Sequence, residues 1–212
     1  MIRSLVIVGH LIFCTGFSVA QPAVDIFDRH EKMSWLGLDF TAAKLVGDPN
    51  GWHSEHYVHR FMTSINNLML KESHKYDIGA ALNRYRVDYE IDVTLDHNEK
   101  LNMENATDSR LRGHYLKEDD IQKIVDLYDF QGLKGTGVMF IVEAFNKLDL
   151  ESVVWVTFIN LDNKEVLFTR RMIEQPSGFG LRNFWAGSIY KMIKQIRRRD
   201  YDRWRREYAR KN

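Results

Sequence analysis

Three histidines and a glutamate crowd one short stretch of the chain: His53, Glu55, His56 and His59. On a helix, Glu55 and His59 are four residues apart, and His56 and His59 three. Either pair therefore places two ligands on one face. Imidazole with carboxylate suits zinc. The spacing is not that of a zinc-peptidase helix, and the set needs a third ligand from elsewhere, with His74, His97 and His114 as the candidates. The competing reading is a solvated first turn beside Trp52 and Tyr57.

A second set is Glu143, Asn146 and Lys147, which directly follow the apolar run 138–142. The end of a central strand is where α/β folds place ligand-binding groups. Glu143 with Lys147 would make a general acid/base pair; a structural ion pair or a strand-end cap uses the same residues. No nucleophile with an adjacent base can be read, so a periplasmic hydrolase or metal-binding protein is the alternative reading rather than the first.

Asp88, Glu90, Asp92 and Asp96 form a third set. Residues 86–96 alternate, with Val87, Tyr89, Ile91, Val93 and Leu95 on the other side. The pattern predicts a half-buried strand with an acidic outer row, its neighbours about 7 Å apart. Such a row attracts a basic partner or a cation, or is simply a solvated face.

The fourth set lies at the C-terminus. Residues 191–212 hold ten Lys/Arg and three Asp/Glu, a local net charge of +7. Arg197, Arg198, Arg199, Arg203, Arg205, Arg206, Arg210 and Lys211 are threaded with Tyr201, Trp204 and Tyr208. Those aromatics sit at i, i+3, i+7 and share one helix face. Such a helix fits a partner's groove or an anionic membrane surface, or packs its aromatics back on its own domain. Just upstream, Gly178-Phe179-Gly180 precedes a helix but lacks the rest of a phosphate-loop pattern, so it reads as a tight turn. Arg182 and Asn183 beside it leave room for a small anion.

These sets need elements to hold them. Residues 35–46 predict a strand and 54–73 a helix with the stripe Val58, Phe61, Met62, Ile65, Leu68 and Met69. Residues 76–82 are expected to return to the sheet, and 97–113 to be a long loop. A helix opens at Glu118, where carboxylates complement its dipole, and carries Ile121, Ile124, Val125 and Tyr128. The run 138–142 predicts a strand covered on both faces. Residues 153–160 and 165–171 predict a hairpin around Asp162-Asn163. A long helix then runs from about Arg182 with Trp185, Ile189, Ile193 and Ile196 as its core stripe. The expected class is α/β (α+β): a mixed sheet with an antiparallel hairpin, helices packed on it and a long C-terminal helix.

The N-terminus reads as a secretory leader. Arg3 is followed by the apolar run 5–13 and then Ser18-Val19-Ala20, so cleavage is expected after Ala20. Cys14, the single cysteine, lies inside this leader. Leu11-Ile12-Phe13 before it argue against a lipid anchor, and the mature chain is expected to be cysteine-free. The expected organisation is a leader at 1–20, an extension at 21–33, one α/β domain at 34–196 and a basic aromatic tail at 197–212. Thirty basic residues stand against 29 acidic ones, a net of +1, and Arg3 leaves with the leader. A near-neutral body argues against nucleic acid as a partner.

Val142-Glu143-Ala144-Phe145-Asn146-Lys147, the hairpin 153–171, and Gly178-Phe179-Gly180 with Asn183-Phe184-Trp185 together carry a resemblance. Over residues 34–196 the chain resembles the small α/β domain at the amino end of TolB-like proteins and in curli-secretion lipoproteins. It is also similar to uncharacterised exported proteins of Bacteroidetes-type bacteria. The resemblance implies an envelope setting in which such domains dock other proteins, and it transfers no active site. The sequence therefore points to an exported, non-catalytic envelope module. It would bind a partner protein through its basic C-terminal helix, in the periplasm or outside the cell.

Overall fold

The computed structural model describes residues 26–48, 52, 55–109 and 115–210. The chain is a mixed α/β fold built on one sheet. Its long central strand is β5, Thr136–Asn146. Two short strands, β1 (Met33–Asp39) and β2 (Lys44–Val46), lie end to end along β5, both parallel to it. Strand β3 (Val87–Tyr89) lies outside β1, and β4 (Thr107–Asp108) outside β2, again in parallel. On the other side of β5, β6 (Glu151–Asn160) and β7 (Glu165–Glu174) follow antiparallel.

All of β5 is buried, and its side chains serve two cores in turn. Val138, Phe140 and Val142 join the larger cluster; Met139 and Ile141 join the smaller. Strand alternation with both faces covered accounts for the unbroken apolar run. Helices α1 (Glu55–Lys71) and α6 (Leu181–Gln195) fill the larger core with Phe61, Ile65, Trp185 and Ile189. Helix α5 (Glu118–Asp126) fills the smaller with Ile121, Ile124 and Val125.

Several local expectations are corrected. Residues 35–46 are two strands, not one, because the chain turns between Asp39 and Lys44. Residues 76–82 do not return to the sheet. Ile78–Ala81 is a short helix, α2, capped by Asp77, whose carboxylate accepts from the Ala80 N–H at 2.8 Å. The 97–113 stretch, read as loop, contains the short helix α4 (Met103–Ala106) and β4.

The largest correction falls on 86–96. Only Val87–Tyr89 is strand; Asp92–Asn98 is a helix, α3. Its buried residues are Val93, Thr94, His97 and Asn98, a helical spacing and not an alternating one. Three of those four are polar and buried because each finds a partner. A reading that equates polar with exposed assigns the wrong period here.

At the C-terminus, α6 continues into α7 (Tyr201–Ala209) through one π-helical turn, Ile196–Asp200. The Tyr201 N–H reaches the Ile196 carbonyl five residues back. This extra residue brings Tyr201 onto the face that Ile196 already occupies. Tyr201 and Trp204 are buried and belong to the larger core, as do Ile26 and Phe27 from the other end of the described chain. The described parts of the segments expected to flank the domain as extension and tail thus pack into its core.

Candidate functional site

A polar cluster sits where β1 ends. Gly37 has a φ of +92°, and a Cβ there would fall 2.6 Å from Asn66 Oδ1. The missing side chain lets Asn66 of α1 approach the strand. Asn66 accepts from the Leu38 N–H at 2.7 Å and donates to the Leu38 carbonyl at 3.0 Å. Asn98 of α3 donates to the same carbonyl at 3.0 Å and accepts from the Phe40 N–H at 2.7 Å. Beyond the reach of β3, two buried asparagines thus take the place of a neighbouring strand.

Asp39 follows, fully buried. Its carboxylate accepts from the Thr41 N–H at 2.7 Å, which closes the turn toward β2. Burial raises its pKa from 3.8 to about 6, against the lowering effect of Thr41 and of the Tyr128 hydroxyl beside it. Burial likewise raises Tyr128 well above its usual value, with the Asp39 charge adding to the effect. His97 stacks on the Tyr128 ring at 3.9 Å between centroids. Burial first, then the Lys100 charge, lowers His97 from 6.5 to about 4. Sequence reading passed over Asp39, Asn66 and Asn98, because single polar residues inside apolar patterns carry no periodic signal.

The two shifts oppose each other. Asp39 holds its proton more tightly when folded, so its contribution is present below about pH 4 and is lost as pH rises through about 6. His97 holds its proton less tightly when folded, so its contribution is present above about 6.5 and is lost as pH falls through about 4. We expect Asp39→Asn to stabilise the protein at pH 7 by about 2–3 kcal/mol. The variant should then lose stability from pH 6.5 to 4, while the native chain stays nearly flat. Urea midpoints at pH 7 and 4.5 test this; equal pH profiles for the two chains would show that Asp39 does not titrate in this range.

The histidine set is only partly within the described residues. His53, His114 and the side chains of Glu55 and His56 lie outside them. His59 Nδ1 stands 3.8 Å from a Glu99 carboxylate oxygen, His74 is exposed and His97 is committed to Tyr128. Among the described residues, no group of three His, Cys, Asp or Glu is placed to hold a metal.

The acidic row is dispersed by the end of β3. Asp88 pairs with Lys32, and Glu90 lies past the strand end. Asp92 and Asp96 are exposed on α3, where Asp96 accepts from Gln131 at 3.3 Å. Asp88, Glu90, Asp92 and Asp96 therefore form no strand face, because the chain coils after Ile91.

Glu143 does not face Lys147 as an acid/base pair. It is fully buried at a bulge in β5. Arg171 of β7 grips both its oxygens, Nε to Oε2 at 2.9 Å and Nη2 to Oε1 at 2.8 Å, and Trp155 of β6 donates at 2.7 Å. This fork-to-fork pair ties three strands together and engages the carboxylate. Lys147 instead lies 3.9 Å from the Trp52 ring centroid. Asn146 caps the turn to β6, accepting from the Leu148 and Asp149 N–H groups.

The basic helix is divided by its own geometry. Tyr201 donates to the Phe27 carbonyl at 3.0 Å, and Trp204 packs on Phe168 at 5.8 Å. Tyr208 is half-buried, 5.5 Å from the Phe27 ring. As contact residues for a partner these aromatics are corrected: they face the sheet. Buried Asp200 collects Arg203, Arg199 and Gln195, and Glu207 collects Arg170 and Arg203. Arg197, Arg198, Arg205 and Arg206 are exposed, and no ion pair holds them among the described residues. Among those residues no helix is long and apolar enough to cross a membrane. Against known proteins, the chain matches no family model and no curated sequence.

Proposed function

We propose that this chain is an exported, non-catalytic envelope module that holds an acidic partner protein against the outer face of its C-terminal helix. The observation that carries the reading is the sorting of that helix. Its aromatic side is spent on the core, and Arg197, Arg205 and Arg206 are left outward on a body of near-zero net charge. A local positive field of this kind steers association with an acidic surface and sets its orientation. Export rests on the leader-like N-terminus, and the envelope setting on the resemblance to envelope α/β domains.

The test is cross-linking capture from intact cells, comparing the native chain with Arg197→Glu/Arg205→Glu/Arg206→Glu. All three positions are exposed, so the variant should melt with the native chain. A distinct acidic protein captured only by the native chain supports the reading. Equal capture, or none by either chain, sinks it.

A further inference from the structure

We propose that the cleft between α6 and loop 175–180 is a binding site for a phosphate group, separate from the partner surface. The cleft has a volume of about 400 Å³ and is lined by Ser177, Tyr190, Lys191, Lys194, Gln195 and Arg198. Three of those six side chains are cationic and none is a carboxylate. Lys191, Lys194 and Arg198 fall at i, i+3, i+7, so one helix face carries all three. Like charges at that spacing repel, and an anion seated among them removes the repulsion.

The cleft is preformed. Lys191 Nζ donates to the Gln175 carbonyl at 2.8 Å, and the Ser177 N–H donates to the Phe184 carbonyl at 2.9 Å. Between these ties, Gly187 lets the loop lie flat on the helix: a Cβ there would fall 1.8 Å from the Ser177 carbonyl oxygen. A wall fixed at both ends costs little to order on binding. Tyr190 supports the charge, with Lys194 and Lys75 at 5.1 and 5.8 Å from its ring centroid. The donors are two ammonium groups, a guanidinium fork and the Ser177 and Tyr190 hydroxyls. A tetrahedral anion with several acceptor oxygens uses more of them than a carboxylate does.

Phosphate of this kind is carried by soluble esters and by lipid headgroups alike. The experiment is calorimetric titration of the full chain with pyrophosphate at low ionic strength, alongside flotation with vesicles of equimolar phosphatidylcholine and phosphatidylglycerol. The native chain is expected to bind pyrophosphate saturably, and Lys194→Ala/Arg198→Ala to weaken that about tenfold. Arg86→Ala/Lys134→Ala removes two exposed cations elsewhere and should change it by less than about twofold. Vesicle binding lost in the cleft variant assigns the phosphate to a lipid. Pyrophosphate binding without vesicle binding assigns it to a soluble ester. Absence of saturable binding, or equal weakening in both variants, overturns the proposal.

Discussion

Trp204→Ala is expected to destabilise the protein by about 3–5 kcal/mol, and a chain ending at Ile196 to lose cooperative folding. Trp204 is 1% exposed and Tyr201 6%. Both pack into the cluster that includes Phe27, Phe158 and Phe168. A loss of that size approaches the whole stability of a typical domain. Trp204→Phe should cost much less. It keeps most of the apolar volume and removes an indole N–H that has no hydrogen-bond partner among the described residues. Urea unfolding followed by near-ultraviolet circular dichroism measures all three. A truncated chain that unfolds as sharply as the native one would show that α7 is a separable tail. The same burial decides how the function is tested: removing the helix removes core, so only charge reversal isolates the arginines.

The second large effect lies at the three-strand ion pair. Arg171→Met should cost about 3 kcal/mol or more, because among the described residues it leaves a fully buried carboxylate with the Trp155 N–H as its remaining donor. Replacing both members, Glu143→Leu with Arg171→Met, should recover most of that loss, since neither charge of the pair then remains at the β5 bulge. Equilibrium unfolding of the two single variants and the double closes the cycle. If Arg171→Met costs under about 1 kcal/mol, the carboxylate is hydrated and the pair is a surface contact in energetic terms.

What the sequence disclosed follows from where period and polarity agree. The run 138–142 announced a strand buried on both sides because every residue in it is apolar. The 54–73 helix was legible because its stripe repeats at helical spacing without interruption. Helix α3 was not, since Thr94, His97 and Asn98 look like surface residues until the partners that bury them are known. The parallel pairing of β1 through β5 was also hidden, because pairing direction leaves no mark on a short strand. At the candidate sites, residue type suggested chemistry that long-range contacts then reassigned. Glu143 lies 28 residues from the arginine that grips it. Tyr201, Trp204 and Tyr208 announced a shared face, but nothing local said that the face turns toward the sheet.

The widened turn at Ile196–Asp200 works as an angular setting. Each helical residue advances the side chains by about 100°, so the single extra residue fixes the compass bearing of everything after it. Shortening the turn by one would bring Arg205 to where Trp204 now packs and move Trp204 to the exposed position of Arg203. The bearing of the positive face is thus locked to the hydrophobic fit of Tyr201 and Trp204, and the chain cannot change one without spoiling the other.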